Sequence, residues 1–227
     1  MNAIKAGYEI LTPISDEAIK GMQLIERAAR TCYQSEDRIT EDGSSALKII
    51  KTLMNNKHES VIEHSFLSVC FTVDRGVSHE AVRHRLTSVS QSSTRYCNYA
   101  NDKFGNEITV IDIENGIALD TKMQKLPAET ISQIIEEWYK AMEDAERHYM
   151  KMINLGATPQ IARSVLPHST KTSLVITTNY REWRTILKLR TAKDAHPQIR
   201  EVMIPLAREL ADKIPILFDD IVRDMEK

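Results

Sequence analysis

The longest unbroken pattern in the chain constrains its fold most. Over residues 128–154, apolar side chains recur at Ile131, Ile134, Ile135, Trp138, Met142, Ala145, Tyr149 and Met152, the three-and-four spacing of a helix with one apolar face. Pro127 stands near its start, and Gly156 follows as a C-terminal stop. Such a face must be covered, either within the subunit or by a neighbouring one. Other helical stretches surround it. Ser15 caps one, with Asp16 and Glu17 in the first turn and Ile19, Met22, Ile25, Ala28 and Ala29 along one face. A second starts at Ser44 or Ser45, with Leu47, Ile50, Leu53 and Met54 inward. Thr158-Pro159 opens a short helix, a capping hydroxyl followed by proline at the first helical position. Asn179 caps another, with Glu182 completing a capping box and Trp183, Ile186, Leu187 and Leu189 as its apolar side. Two more amphipathic helices cover residues 199–213 and 215–225. Strands are few: residues 8–11, 66–73, 109–113 and 171–178, of which 66–73 is the richest in β-branched and aromatic side chains. The pattern predicts one helix-rich α+β domain spanning residues 1–227, with no internal repeat and no linker.

Several chemistries are excluded by what is missing. A formal charge of -2 argues against bulk nucleic-acid binding, which needs a basic surface to displace counterions. Residues 1–11 hold no apolar core of signal-peptide length, and no window of about 18 residues is apolar enough to span a membrane. Three cysteines, Cys32, Cys70 and Cys97, with no Cys-x-x-Cys, point to reduced thiols in the cytoplasm. There is no Gly-x-Gly-x-x-Gly and no Gly-Lys-Ser/Thr, so a bound nucleotide must be held by side chains. His58-Glu59 begins a zinc-protease motif, but its second histidine is replaced by Ile62. The remaining histidines match no ligand spacing, and no metal is expected.

The densest chemistry lies in residues 79–99. An apparent helical turn ends in Arg83-His84-Arg85; a hydroxyl- and amide-rich run follows through Thr94; Arg95-Tyr96 closes it, with Tyr99 beyond. Consecutive side chains on a helical turn diverge by about 100 degrees, so the three cations of the triplet cannot grip one group. They serve two ligands, or two ends of a large one. Residues 88–94 have poor helix propensity and offer hydroxyls and free backbone N–H groups, which suits phosphate. Arg163, Arg181 and Arg190 stand in short, sharply bounded contexts elsewhere.

Arg83-His84-Arg85, seven residues, then Ser93 and Thr94-Arg95-Tyr96 resembles the signature of the flavin-dependent thymidylate synthases. Further segments are similar to that family in its order: His58-Glu59-Ser60-x-x-Glu63-His64, Ala162-Arg163-x-x-Leu166-Pro167, Asn179-x-Arg181, and Leu189-Arg190 followed by Ala195 and Ile199-Arg200. The resemblance covers residues 29–200. It implies a central, mainly antiparallel sheet flanked by helices, not a Rossmann fold. It implies reductive methylation of dUMP to dTMP, with methylenetetrahydrofolate as carbon donor and hydride carried by FAD from NADPH. It implies a homotetramer with active sites shared between subunits.

Carried over by position, the resemblance implies that Glu80, Arg83, Gln91, Ser92, Ser93, Thr94, Arg95, Arg163 and Arg190 bind dUMP. It places Ser60, Glu63, His84, Arg85, Leu86, Gln91, Asn179, Arg181 and Thr185 at FAD. Arg190 is the expected catalytic cation at uracil, stabilising negative charge as N3 loses its proton, and His58 stands near flavin and folate. The motif serine Ser93 is expected to position substrate, since no base for it is legible nearby. The chain departs from the family at Glu80, often glutamine, at Gln91, often glutamate, at Asp194, in places histidine, and at Thr185, in places asparagine. A non-catalytic RNA-binding module using Arg83, Arg85, Arg95 and the tyrosines, and a structural oligomer with a vestigial site, are the competing classes.

Overall fold

The computed structural model describes residues 1–227 apart from the side chains of residues 15–19. The expected cap at Ser15, the first-turn acids Asp16 and Glu17 and the inward Ile19 lie outside the described residues. In chain order the strands are β1 (Asn2–Ile4), β2 (Gly7–Ile10), β3 (Phe66–Asp74), β4 (Ser88–Gln91), β5 (Thr109–Ile111) and β6 (Lys171–Asn179). The helices are α1 (Ile14–Thr31), α2 (Ser44–Asn55), α3 (Arg75–Ala81), α4 (Glu114–Leu119), α5 (Ala128–Asn154), α6 (Pro159–Ala162), α7 (Tyr180–Arg190), α8 (Pro197–Lys213) and α9 (Pro215–Met225). A 3-10 turn, Glu59–His64, leads into β3.

The sheet is antiparallel throughout, in the order β2-β3-β6-β4, as the resemblance implies. A separate parallel pair, β1 with β5, sits beside it. β3 and β6 form the centre because both alternate cleanly. Leu67, Val69, Phe71 and Val73 on β3 and Leu174 and Ile176 on β6 are at most 1% exposed, while the intervening side chains are half-buried. The buried face packs on α1, α7, α8 and α9 through Trp183, Leu187, Val202, Leu206, Leu217 and Phe218. A smaller cluster of Ile108, Val110, Met142, Tyr149 and Ala162 joins β5 to α5 and α6.

The long helix is present with the expected bounds. Gly156 adopts a left-handed φ of 95 degrees, and its N–H reaches the Ile153 carbonyl at 2.9 Å, a stop that needs glycine. Only Met142 and Tyr149 are buried; Ile131, Ile134 and Ile135 stay half-exposed, so this chain covers the C-terminal half of the stripe better than its start.

Four local expectations change. Residues 88–91, absent from the expected strands, form the edge strand β4, registered Ser88↔Thr177 to Gln91↔Leu174. Ser-Val-Ser-Gln carries no apolar alternation because its first three side chains are exposed, so the pairing partner rather than the sequence makes the strand. Leu47 and Leu189 point outward at 52% and 57% exposure, their helices being buried through Ala46 and Ile50 and through Trp183, Ile186 and Leu187. Thr158 occupies the N-cap of α6 without a side-chain bond, although Pro159 is at the start as expected. The capping box of α7 is only half made: Asn179 Oδ1 accepts the Glu182 N–H at 2.8 Å, but the Glu182 carboxylate turns toward His84.

Candidate functional site

The sheet register gathers the residues singled out in the sequence at its two ends. At one end Phe66, the first residue of β3, pairs with Asn179, the last of β6, and Ser88 pairs with Thr177. The Thr178 hydroxyl donates to the Leu86 carbonyl at 2.5 Å. The turn Glu59–His64, the loop after α3 and the start of α7 therefore meet there. At the other end Asp74 pairs with Lys171, Ser92 joins Ser173, and the Arg75 N–H donates to the His168 carbonyl at 2.8 Å. That brings together the start of α3, residues 92–95 and the segment after α6.

The second end gathers hydroxyls and cations. The Ser92 hydroxyl donates to the Ser173 carbonyl at 3.3 Å and accepts its N–H at 3.2 Å, which fixes the chain as it leaves β4. Ser93 Oγ accepts the Arg95 N–H at 3.3 Å, so the motif serine shapes a local turn. Gln91 Nε2 donates inward to Ser78 Oγ at 2.9 Å and Thr172 Oγ1 at 3.2 Å. Arg163 Nη1 donates to the buried Thr94 hydroxyl at 3.4 Å, and Arg95 Nε to Gln160 at 3.2 Å, its guanidinium 5.5 Å from the Tyr96 ring. Thr94, Gln160 and Arg163 line a cleft of about 440 Å3 together with Arg75, His79 and His168.

Arg75 and His168 were not singled out in the sequence, and His79 only as the first residue of the 79–99 stretch. Arg75 is the most telling, because its Nη1 is buried with no hydrogen-bond partner among the described residues. Arg75 as a whole is half-buried; it is this one N–H that lacks an acceptor, and a buried N–H without one is costly. One signal was available: Arg75 opens a helix, where the dipole disfavours a cation. Its neighbour Asp74 caps that helix, accepting the Val77 N–H at 2.6 Å, and burial raises its carboxyl above the usual range.

Between the two ends lies a second cluster, around the last residue of α7. Arg190 Nη1 donates to the Glu80 carboxylate at 2.9 Å, Nη2 to the Glu80 carbonyl at 3.1 Å, and Nε to His84 Nε2 at 3.1 Å. His196 Nδ1 lies 3.9 Å from Glu80 on its other side. Glu80 thus has a place that does not set its carboxylate against a phosphate: it clamps Arg190. Burial first, and the Arg190 charge second, hold the His84 imidazole below its ordinary pKa, which favours the neutral ring.

The residues of the Arg-His-Arg triplet diverge as the helical offset requires. His84 is 9% exposed, while Arg83 and Arg85 are exposed and have no ion-pair partner among the described residues. At the same end of the sheet Arg181 pairs with Glu63 at 2.5 Å, a contact 49% and 45% exposed. Thr185 returns its hydroxyl to the Arg181 carbonyl at 3.3 Å. Ser60 and His58 are exposed on the turn, and His58 makes no side-chain hydrogen bond among the described residues. Phe66 and Leu86 present large apolar surfaces beside them, 58% and 73% exposed.

A larger cleft, about 1110 Å3, opens between α2, α7 and α9. Lys48, Lys51 and Lys57 share it with Glu59, Asp219 and Asp220, and its Arg184 is already paired to Asp220 at 2.7 Å. It reads as a solvated face of mixed charge.

Sequence comparisons give the family. A family model described as thymidylate synthase complementing protein matches residues 16–216. Three flavin-dependent thymidylate synthases are among the similar curated proteins. That of Mycobacterium avium (strain 104) is 32% identical over 213 residues, 92% of this chain and 82% of the relative. Those of Mycobacteroides abscessus and Corynebacterium aurimucosum are 30% and 28% identical, each covering 91% of this chain and 82% of the relative. With its all-antiparallel four-stranded sheet, its Arg-His-Arg loop leading into the edge strand β4 and this match over most of its length, the chain belongs to the flavin-dependent thymidylate synthase family.

Proposed function

We propose that the chain makes dTMP from dUMP as one domain over residues 1–227. Methylenetetrahydrofolate supplies the carbon, FAD supplies the hydride and NADPH reduces the flavin. The observation that carries this is the cleft that Arg75 and Arg163 both line, with the Thr94 hydroxyl between the chain segments that supply them. Such a site selects a dianionic group. The Thr94 hydroxyl and the turn at Ser93 place the phosphate of dUMP, and Arg163 and Arg75 neutralise it.

The first sheet end fits a flavin dinucleotide by its donor set. Among the described residues Arg85 offers a cation without a counter-ion, and Arg181 one shared with exposed Glu63, which suits a pyrophosphate; the unpaired Arg83 stays with dUMP. Phe66 and Leu86 offer uncovered apolar surface for an aromatic ring. Ser60, Glu63, Arg85, Leu86, Asn179, Arg181 and Thr185 would hold it, and when bound it supplies the hydride. Gln91 contributes by bracing β4 through Ser78 and Thr172. His58 faces the folate side.

Arg190 serves the uracil ring. Three of its five N–H groups are spent on Glu80 and His84, which fixes the guanidinium plane and leaves two for the ring. A permanent cation beside N3 stabilises negative charge on the uracil ring, which makes C5 the better nucleophile toward the donated carbon.

The assembly is a homotetramer with shared sites. Its support is uncovered surface: the free edge of β4, Val89 and Phe66 at 38% and 58% exposure, and the half-exposed start of the α5 stripe. Its three thiols are free, which suits the cytoplasm.

The protein reconstituted with FAD is expected to turn yellow, to change its visible flavin spectrum on adding dUMP, and to form dTMP with methylenetetrahydrofolate and NADPH. A colourless protein that takes up no FAD sinks the proposal. Arg75→Gln is expected to weaken dUMP binding about tenfold to a hundredfold, the loss of one charge-assisted contact of about 1.5–3 kcal/mol. Deoxyuridine, which has no phosphate, is expected to bind both proteins alike in equilibrium titration. Equal losses for both ligands would remove Arg75 from the phosphate.

A further inference from the structure

The hydrogen bond between Arg190 and His84 fixes a proton. Arginine stays protonated at any working pH, so Arg190 Nε is a donor and His84 Nε2, 3.1 Å away, must accept. A neutral imidazole that accepts at Nε2 carries its proton on Nδ1. Nδ1 lies 3.6 Å from Glu182 Oε1, and the two side chains are 8% and 12% exposed. Glu182 is available for this because the cap of α7 is made by Asn179 and the Glu182 backbone N–H, not by its carboxylate. Among the described residues that carboxylate has no other polar partner, and burial raises its pKa.

We propose that Glu182 is a positioning residue: it holds His84 in the Nδ1–H tautomer and thereby fixes the Arg190 guanidinium against the substrate ring. With the opposite tautomer, the Nε2–H of His84 would meet the Nε–H of Arg190, donor against donor. The 3.1 Å contact would be lost, and Glu80 alone would hold the guanidinium. The geometry of proton and acceptor stands by itself; the catalytic use of Arg190 rests on the function proposed above.

The test compares the full chain with Glu182→Leu, which fills similar space without an acceptor, and Glu182→Gln, which keeps an accepting oxygen. Ring nitrogen chemical shifts of His84, read without any ligand, are expected to show Nδ1–H in the native protein and in E182Q, and a shift toward Nε2–H in E182L. Turnover of dUMP is expected to fall about tenfold or more in E182L, the scale of a misplaced catalytic group. KM, flavin content and Tm are expected to hold, and E182Q to restore most of the rate. Should E182L fail to fold, Glu182→Ala gives the same comparison with the backbone cap retained. A native His84 tautomer in the Leu or Ala variant overturns the proposal, as does a rate that falls in step with Tm and flavin content. If the native protein makes no dTMP, the functional reading fails, while the nitrogen shifts still decide the role of Glu182.

Discussion

Replacing Arg190 with alanine is expected to lower kcat/KM for dUMP by about a hundredfold to a thousandfold, the usual cost of removing one preorganised donor aimed at developing charge. Glu80 grips the guanidinium at two atoms and His84 at a third, so it waits in its working orientation and reorganises little during reaction. Lysine does not rescue it, because a single ammonium cannot reproduce the planar fork that reaches Glu80, His84 and the ring together. Folding is expected to survive: the Glu80 side chain is 32% exposed and water can take over its charge. Steady-state rates with dUMP, set beside Tm and flavin content, check this. A variant that keeps native kcat/KM would detach Arg190 from the chemistry.

Trp183→Ala is expected to destabilise the chain by about 3–5 kcal/mol, the range for emptying a large buried aromatic site. Trp183 is fully buried, its indole N–H donates to the Leu67 carbonyl at 2.9 Å, and its ring lies 6.3 Å from that of Phe71. It thus bolts the first turn of α7 to β3. Arg181 at one end of that helix and Arg190 at the other depend on that anchor, so flavin retention and dUMP turnover are expected to decline before global unfolding. Trp183→Phe keeps most of the volume and loses the hydrogen bond, for a cost of about 0.5–1.5 kcal/mol. Denaturant titration of the two variants measures both; near-equal midpoints for Trp183→Ala and the native chain would refute the anchoring role.

Much of the fold was legible because helix and central-strand periodicities are local. The bounds of α5 and the strands β3 and β6 follow from spacing alone, since each buries one face and the sequence must repeat accordingly. β4 was not legible. An edge strand with exposed side chains needs no apolar alternation, and what made it a strand was the open edge of β6. Leu47 and Leu189 were misplaced for a related reason: an apolar residue beside a helix stripe turns outward when its neighbours already fill the contact.

The site divides along the same line. The sequence by itself supplied the chemistry, namely the Arg-His-Arg triplet with its serine, Arg163, Arg181 and Arg190, because residue types and short spacings are written in one dimension. Which of these meet was decided by tertiary structure. Glu80 lies 110 positions from the arginine it clamps, and Arg163 lies 69 from Thr94. Arg75 did not stand out until the fold brought it to the cleft that Arg163 lines and left its buried Nη1 without an acceptor among the described residues. Glu182 looked like half of a capping box until His84 was brought within 3.6 Å. Burial and pairing of charge depend on what packs against a group from elsewhere in the chain, and no local pattern carries that.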